Sequence, residues 1–252
     1  MRFPLLLTTL WLATLGEAVA SPPGYRAPRR RYSARHLAYI RPPGRIHASV
    51  NLGYYNGDLT NNFSDNTFRV GYGLGFTQAL SPHLTFSTEL AMLYLKAKDH
   101  YPARGYRFDS NNGLLHATLR YNIFEDKSMY VGLNKKPSPA QLFVEAGAGL
   151  LLIDPTAYQA DGAGAVQQLP AETGSSYPQL AAVFPVGIGG TLKATPHLYF
   201  TLDALYYFTT TDVLDDFSQR ANPKQPENFA TLTLKVEYAF GKKKPRTLVH
   251  YD

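Results

Sequence analysis

His116, Thr118 and Arg120 alternate along one stretch of the chain, and a histidine beside a hydroxyl is a pairing that hydrolases use to activate a nucleophile. In a membrane lipase or deacylase such a pair needs an acid partner and an opening towards lipid or an outer rim. No Ser-His-acid set is visible, so a structural histidine is the better reading of His116. A second group, Asp212, Asp215 and Asp216, places three carboxylates close together. Hard oxygen ligands of this kind suit calcium. Aspartates also close turns by accepting bonds from nearby backbone N–H groups, and the turn is favoured. With no metal-ligand cluster, phosphate-binding glycine loop or nucleophile with its base, neither enzymatic activity nor a cofactor is expected.

The elements that carry these residues show themselves by alternation. In Leu232-Thr-Leu234-Lys-Val236-Glu-Tyr238-Ala-Phe240 every even position is apolar, while Thr231, Thr233, Lys235 and Glu237 occupy odd ones. A repeat of two residues is the strand period, with one greasy and one polar face. Eight such segments are predicted, at about 46–57, 66–80, 83–97, 107–124, 141–154, 180–194, 197–212 and 228–241. Leu80-Ser81-Pro82-His83 and Ala194-Thr195-Pro196-His197 read as tight turns. The joins near 58–65, 98–106, 155–179 and 213–227 are longer and polar, and 125–140 is long for a turn. Alternating short and long connections describe an outer-membrane barrel with periplasmic turns, outer loops and both ends on the periplasmic side.

A soluble barrel also alternates, with its apolar face inward. Charge separates the two. The polar faces hold Arg69, Glu89, Arg120, Glu145, Lys193, Asp203, Lys235 and Glu237, four of each sign. A water-facing exterior carries many more, whereas a balanced set suits a lumen in which charges pair. Glycines at 71, 73, 75, 147, 149, 187 and 189 leave room for long side chains from across the barrel. The expected fold is therefore all-β, an eight-stranded antiparallel transmembrane β-barrel with a filled lumen that conducts no solutes.

Residues 1–20 carry Arg2, an apolar stretch and Ala18-Val19-Ala20 before Ser21, the pattern of a signal peptide cleaved after Ala20. Residues 21–45 are rich in Pro, Arg and Tyr without periodicity and read as a largely disordered periplasmic linker. The barrel spans 46–241, and 242–252 form a basic tail. The formal charge of +6 is unevenly placed: 21–45 contain seven arginines and no acid, the tail carries +3, and 46–241 carry −4. The basic character belongs to two ends, which argues against a nucleic-acid partner. Arg26, Arg29, Arg30, Arg31 and Arg35 are candidate contacts for an anionic headgroup or an acidic periplasmic protein. Cysteine is absent, so no disulfide or thiol site exists.

The loops add a set of motifs: Asn56-Gly57-Asp58-Leu59, Arg107-Phe108, Leu169-Pro170-x-Glu172-Thr173-Gly174, Pro185-x-Gly187-x-Gly189 and Thr209-Thr-Thr-Asp212-Val-Leu-Asp215-Asp216-Phe-Ser218. Over about 46–241 the chain resembles the PorG-type barrel family of Bacteroidota, whose best-known member is an outer-membrane component of the type IX secretion and gliding machinery. The resemblance implies a non-enzymatic structural or anchoring barrel with a periplasmic protein partner. It marks Gly57, Asp58, Glu172, Gly174, Asp212, Asp215 and Asp216 as family loop residues. A general small barrel with an adhesive or envelope-stabilising role is the alternative, and a lipid-modifying enzyme a lesser one.

Overall fold

The computed structural model describes residues 39–57, 60, 63–100, 105–130, 137–160, 166–170, 178–211, 214 and 227–240. Ten strands run in chain order: β1 Arg45–Asn56, β2 Val70–Ala79, β3 Leu84–Lys98, β4 Tyr106–Asn122, β5 Ala140–Ile153, β6 Pro155–Ala160, β7 Val166–Gln168, β8 Gln179–Lys193, β9 Leu198–Thr209 and β10 Asn228–Ala239. Eight of them close a ring in the order β3-β2-β1-β10-β9-β8-β5-β4, with β4 returning to β3. Every pairing is antiparallel. The first and last strands meet over their whole length, from Arg45↔Ala239 to Asn56↔Asn228.

Side chains of one parity form the outer wall. Leu74 is 68% exposed and Leu90 63%, values that lipid, not water, explains across a whole wall of leucine, valine and aromatic rings. No described helix is long and apolar enough to cross a membrane, so the strands do the crossing. The two tight turns share one construction. Ser81 Oγ accepts from Leu84 N and Thr195 Oγ1 from Leu198 N, each at 3.0 Å. The histidine that follows each proline reaches a neighbouring strand, His83 Nδ1 to Asn122 O (3.2 Å) and His197 Nδ1 to Ala239 O (3.1 Å).

Three features differ from the sequence reading. Residues 155–160 and 166–168, within the expected polar loop, form strands. Asp154 interrupts the strand only briefly; β6 then continues up the side of β4, from Ser110↔Pro155 to Tyr106↔Gln159, and β7 folds back on β6. Gly105, at φ +66°, turns the chain into β4, and its carbonyl accepts from Ala160 N (2.9 Å), which fastens the top of this extension. Second, the end of the expected linker is held. Tyr39 bridges Tyr130, Ile40 N donates to Met129 O (2.9 Å), and Arg41 Nε donates to Leu80 O (3.1 Å). Within the same 125–130 connection the Tyr130 hydroxyl donates to the Glu125 carboxylate, which raises the phenol above its ordinary range.

Third, the lumen is two layers, not one polar interior. The half nearer the long loops is an apolar core that includes Tyr55, Leu93, Leu95, Phe108, Leu151, Ile153, Val183, Leu205, Tyr207 and Phe229. Tyr207 stacks on Phe229 at 4.4 Å and Tyr55 meets Phe108 edge-on at 4.7 Å. Each such side chain contributes about 1.5–3 kcal/mol through burial. The strands lose their alternation here because one face meets lipid and the other meets this core. Leu90 to Leu95 and Leu150 to Ile153 are consequently apolar throughout.

Substituting Leu74→Arg, in the middle of β2 on the lipid face, is expected to lower stability by about 2–4 kcal/mol, while Ala194→Arg at a tight turn costs about 0–1 kcal/mol. Urea titration of both variants refolded into lipid vesicles measures the difference.

Candidate functional site

The half of the lumen nearer the tight turns is polar, and its charges are tied into one network. Arg120 on β4 lies at the centre. Its Nε donates to Glu145 Oε2 on β5 (3.0 Å), its Nη2 to Asp203 Oδ2 on β9 (3.3 Å), and its Nη1 stands 3.7 Å from Glu237 Oε1 on β10. Lys235 Nζ bridges Glu89 Oε2 on β3 (2.7 Å) and Asp203 Oδ2 (2.9 Å). Arg45 Nε holds the other oxygen of Glu237 at 3.1 Å. Hydroxyls add further bonds: Ser49 Oγ donates to Glu89 (2.6 Å), Thr118 Oγ1 to Glu145 (2.8 Å) and Thr201 Oγ1 to Glu237 (2.7 Å). His47 Nε2 completes the set, 3.5 Å from Glu89 Oε2.

Space for these side chains comes from the strands that bring no charge to the network. β2 supplies Gly71, Gly73 and Gly75, and β8 supplies Gly187 and Gly189. A Cβ at Gly73 would sit 2.6 Å from Ser49 Oγ and 2.7 Å from Glu89 Oε1, closer than packed atoms stand. The absent side chain is therefore the volume into which Glu89 fits. Arg120 also lies over the Phe143 ring, 4.7 Å from its centre, so the cation is flanked by an aromatic face as well as carboxylates. Arg120 and Lys235 are each 1% exposed and Glu237 0% exposed, so the charges of this layer are shielded from solvent.

The eight charges expected in the lumen divide. Glu89, Arg120, Glu145, Asp203, Lys235 and Glu237 meet one another; Arg69 and Lys193 do not join them. Arg69 precedes β2 and stands outside the barrel, paired with Asp109 at 2.7 Å and over the Tyr94 ring at 4.9 Å. It misses the lumen because the strand begins at Val70, above which the pleat no longer sets direction. Lys193, the last residue of β8, turns over Tyr199 at 5.2 Å. Arg45, assigned from composition to the linker, is the first residue of β1 and a full member of the network. Its signal was present as Arg45-x-His47-x-Ser49, the same alternation one step earlier.

His116 is buried where the two lumen layers meet, edge-on to Tyr207 at 5.8 Å. Thr118, the hydroxyl two residues on, is committed to Glu145 and not to His116. Above the apolar layer, the Tyr55 hydroxyl donates to the Glu227 carboxylate, which also accepts from Leu214 N (2.6 Å). Among the described residues no cluster of three metal-ligating side chains occurs. Gly57 follows β1; Asp58, Glu172, Gly174, Asp212, Asp215 and Asp216 lie outside the described residues, as do Arg26, Arg29, Arg30, Arg31 and Arg35.

No protein-family model matches the chain, and no curated protein does. Among solved structures it is similar to Ail, the attachment invasion locus protein of Yersinia pestis, at 13% identity over 80% of this chain and 100% of that one, with a TM-score of 0.43. The outer membrane protein OprG from Pseudomonas aeruginosa is similar over 80% of this chain and 98% of that one, at 10% identity and a TM-score of 0.45. A major outer membrane protein from Thermus thermophilus is similar over 78% of this chain and 99% of that one, at 13% identity and a TM-score of 0.43.

Replacing Arg120 by Met leaves Glu145, Asp203 and Glu237 short of their shared cation and is expected to cost about 3–5 kcal/mol. Thr118→Val removes one hydrogen bond to a carboxylate and should cost about 1.5–3 kcal/mol. The same urea titration ranks the two.

Proposed function

We propose that this chain is a plugged barrel of a Gram-negative outer membrane that acts as an anchor, neither channel nor enzyme. The lumen carries this reading. Its lower layer commits each carboxylate to a cation or hydroxyl, and its upper layer is packed side chains. What is left free to act is the pair of rims. The tight turns, the start of β1 and the end of β10 stand on one rim, which the short-turn convention places in the periplasm.

Within that reading, the specific role is a structural or anchoring component of a type IX secretion or gliding apparatus, supported by the PorG-type loop motifs. The periplasmic rim offers such a partner the two tight turns and Glu125, Asp126 and Lys127. The second reading, an adhesive or envelope-stabilising barrel, is favoured by the β6–β7 extension on the opposite rim. Deleting the gene should abolish secretion of type IX cargo and surface spreading; normal secretion would favour the second reading.

Partner contact through the N-terminal arginines has its own outcome. Single exposed charges contribute little, so single substitutions should be nearly silent. Replacing Arg26, Arg29, Arg30, Arg31 and Arg35 together should weaken partner co-purification at low salt and leave the remainder less sensitive to added salt, with barrel insertion intact.

A further inference from the structure

The geometry points to a phosphate-binding site for an outer-leaflet lipid headgroup on the outward wall where β3, β4 and β6 meet. Like charges face each other there without relief. Lys98 and Arg107 are direct cross-strand partners with side chains on the same outward face, an arrangement that destabilises a sheet. Neither has an ion-pair partner among the described residues. In the next row Lys96 opposes Asp109, and that one carboxylate is shared between Lys96 Nζ (3.1 Å) and Arg69 Nη1 (2.7 Å). Four cations thus stand around one acid. Asp154, exposed at the β5–β6 break beside Asn111, still leaves the wall positive.

Position and shape select the ligand. Tyr94 ends the outward apolar run of β3 below these cations, with Tyr72 a row lower on β2 and Val70 beside it, an aromatic position of the kind a barrel girdle takes at the headgroup level. Lys98 lies four residues beyond Tyr94, roughly 13 Å further along the strand at about 3.3 Å per residue. Lys96, Arg107, Asp109, Tyr158 and Val166 line an open cleft between these strands and β7. Arg107 presents a planar fork suited to two phosphate oxygens, and the lysines act as point charges. Tyr158, the cross-strand partner of Arg107 on β6, and Val166 wall the cleft on the side away from the apolar band, which leaves it open towards the headgroups below. A phosphate held here relieves the Lys98–Arg107 repulsion, which no described protein group does.

This inference rests on the outward orientation of the long-loop rim proposed above, but its test does not. The full chain, purified in a non-ionic detergent, is titrated with a bisphosphorylated lipid A, with the same lipid after enzymatic dephosphorylation, and with inorganic phosphate. Native mass spectrometry reads the bound copies, and heat-shifted gel mobility reports that each variant is folded. The phosphorylated lipid should be retained and its dephosphorylated form lost. Binding should weaken roughly fivefold for each cation removed in Lys98→Gln and Arg107→Gln. Asp109→Asn, which frees Lys96 and Arg69, should bind more tightly than the natural chain. Equal retention of both lipids, or unchanged binding in the double Lys98→Gln, Arg107→Gln variant, overturns the proposal. Displacement of the lipid by inorganic phosphate at equal concentration overturns the lipid assignment in favour of a soluble anion. Because binding is read on the purified chain, its failure leaves the anchoring reading intact, and normal secretion after gene deletion leaves this site intact.

Discussion

In hydrocarbon a backbone N–H or C=O has no water to bond, so a strand at the edge of a sheet is intolerable there. Closure of the ring answers that constraint, and the rest of the molecule follows from how it is met. The seam between β1 and β10 pairs twelve residues of each strand without a break. Once the ring is closed with only eight strands, its interior has room for side chains alone. The outer wall must then be apolar because it meets lipid, while the inner wall must satisfy itself.

The inner wall does so in two ways. Charges near the tight turns neutralise one another across the lumen, whereas aromatic and branched side chains near the long loops fill space. Buried ion pairs contribute little net stability when weighed against hydrophobic packing, so the apolar layer is the source of stability and the charged layer specifies which strand faces which. Glycine-rich β2 and β8 make the charged layer sterically possible. The tyrosines and β6 carry the outward wall beyond the apolar band to the level where the Lys98–Arg107 row stands.

Much of this was legible in the chain. Parity assigned Leu74, Leu90 and Leu234 to lipid and Glu89, Arg120 and Lys235 to the lumen, because a two-residue period leaves no other choice of face. The same logic fails wherever a strand ends. Arg69 and Lys193 have the right parity but sit at strand limits, where the pleat stops dictating direction. Composition hid Arg45, since its Pro- and Arg-rich surroundings read as linker. The apolar upper lumen was hidden for a different reason: Leu93, Leu151 and Leu205 interrupt the alternation, and periodicity carries no information about a strand that is buried on both sides. The extension of β4 by β6 was invisible because its pairing, unlike its sequence, is continuous with the barrel.

The Arg120 network draws its members from six strands, from β1 at one end of the chain to β10 at the other. An incomplete barrel lacking the last strand would hold Arg45 without Glu237 and Glu89 without Lys235, each charge facing a dry interior. Each buried ion left unpaired in this way costs several kcal/mol. β10, which supplies both Lys235 and Glu237, therefore ties the earliest strands to the latest through its lumen face as well as through its backbone.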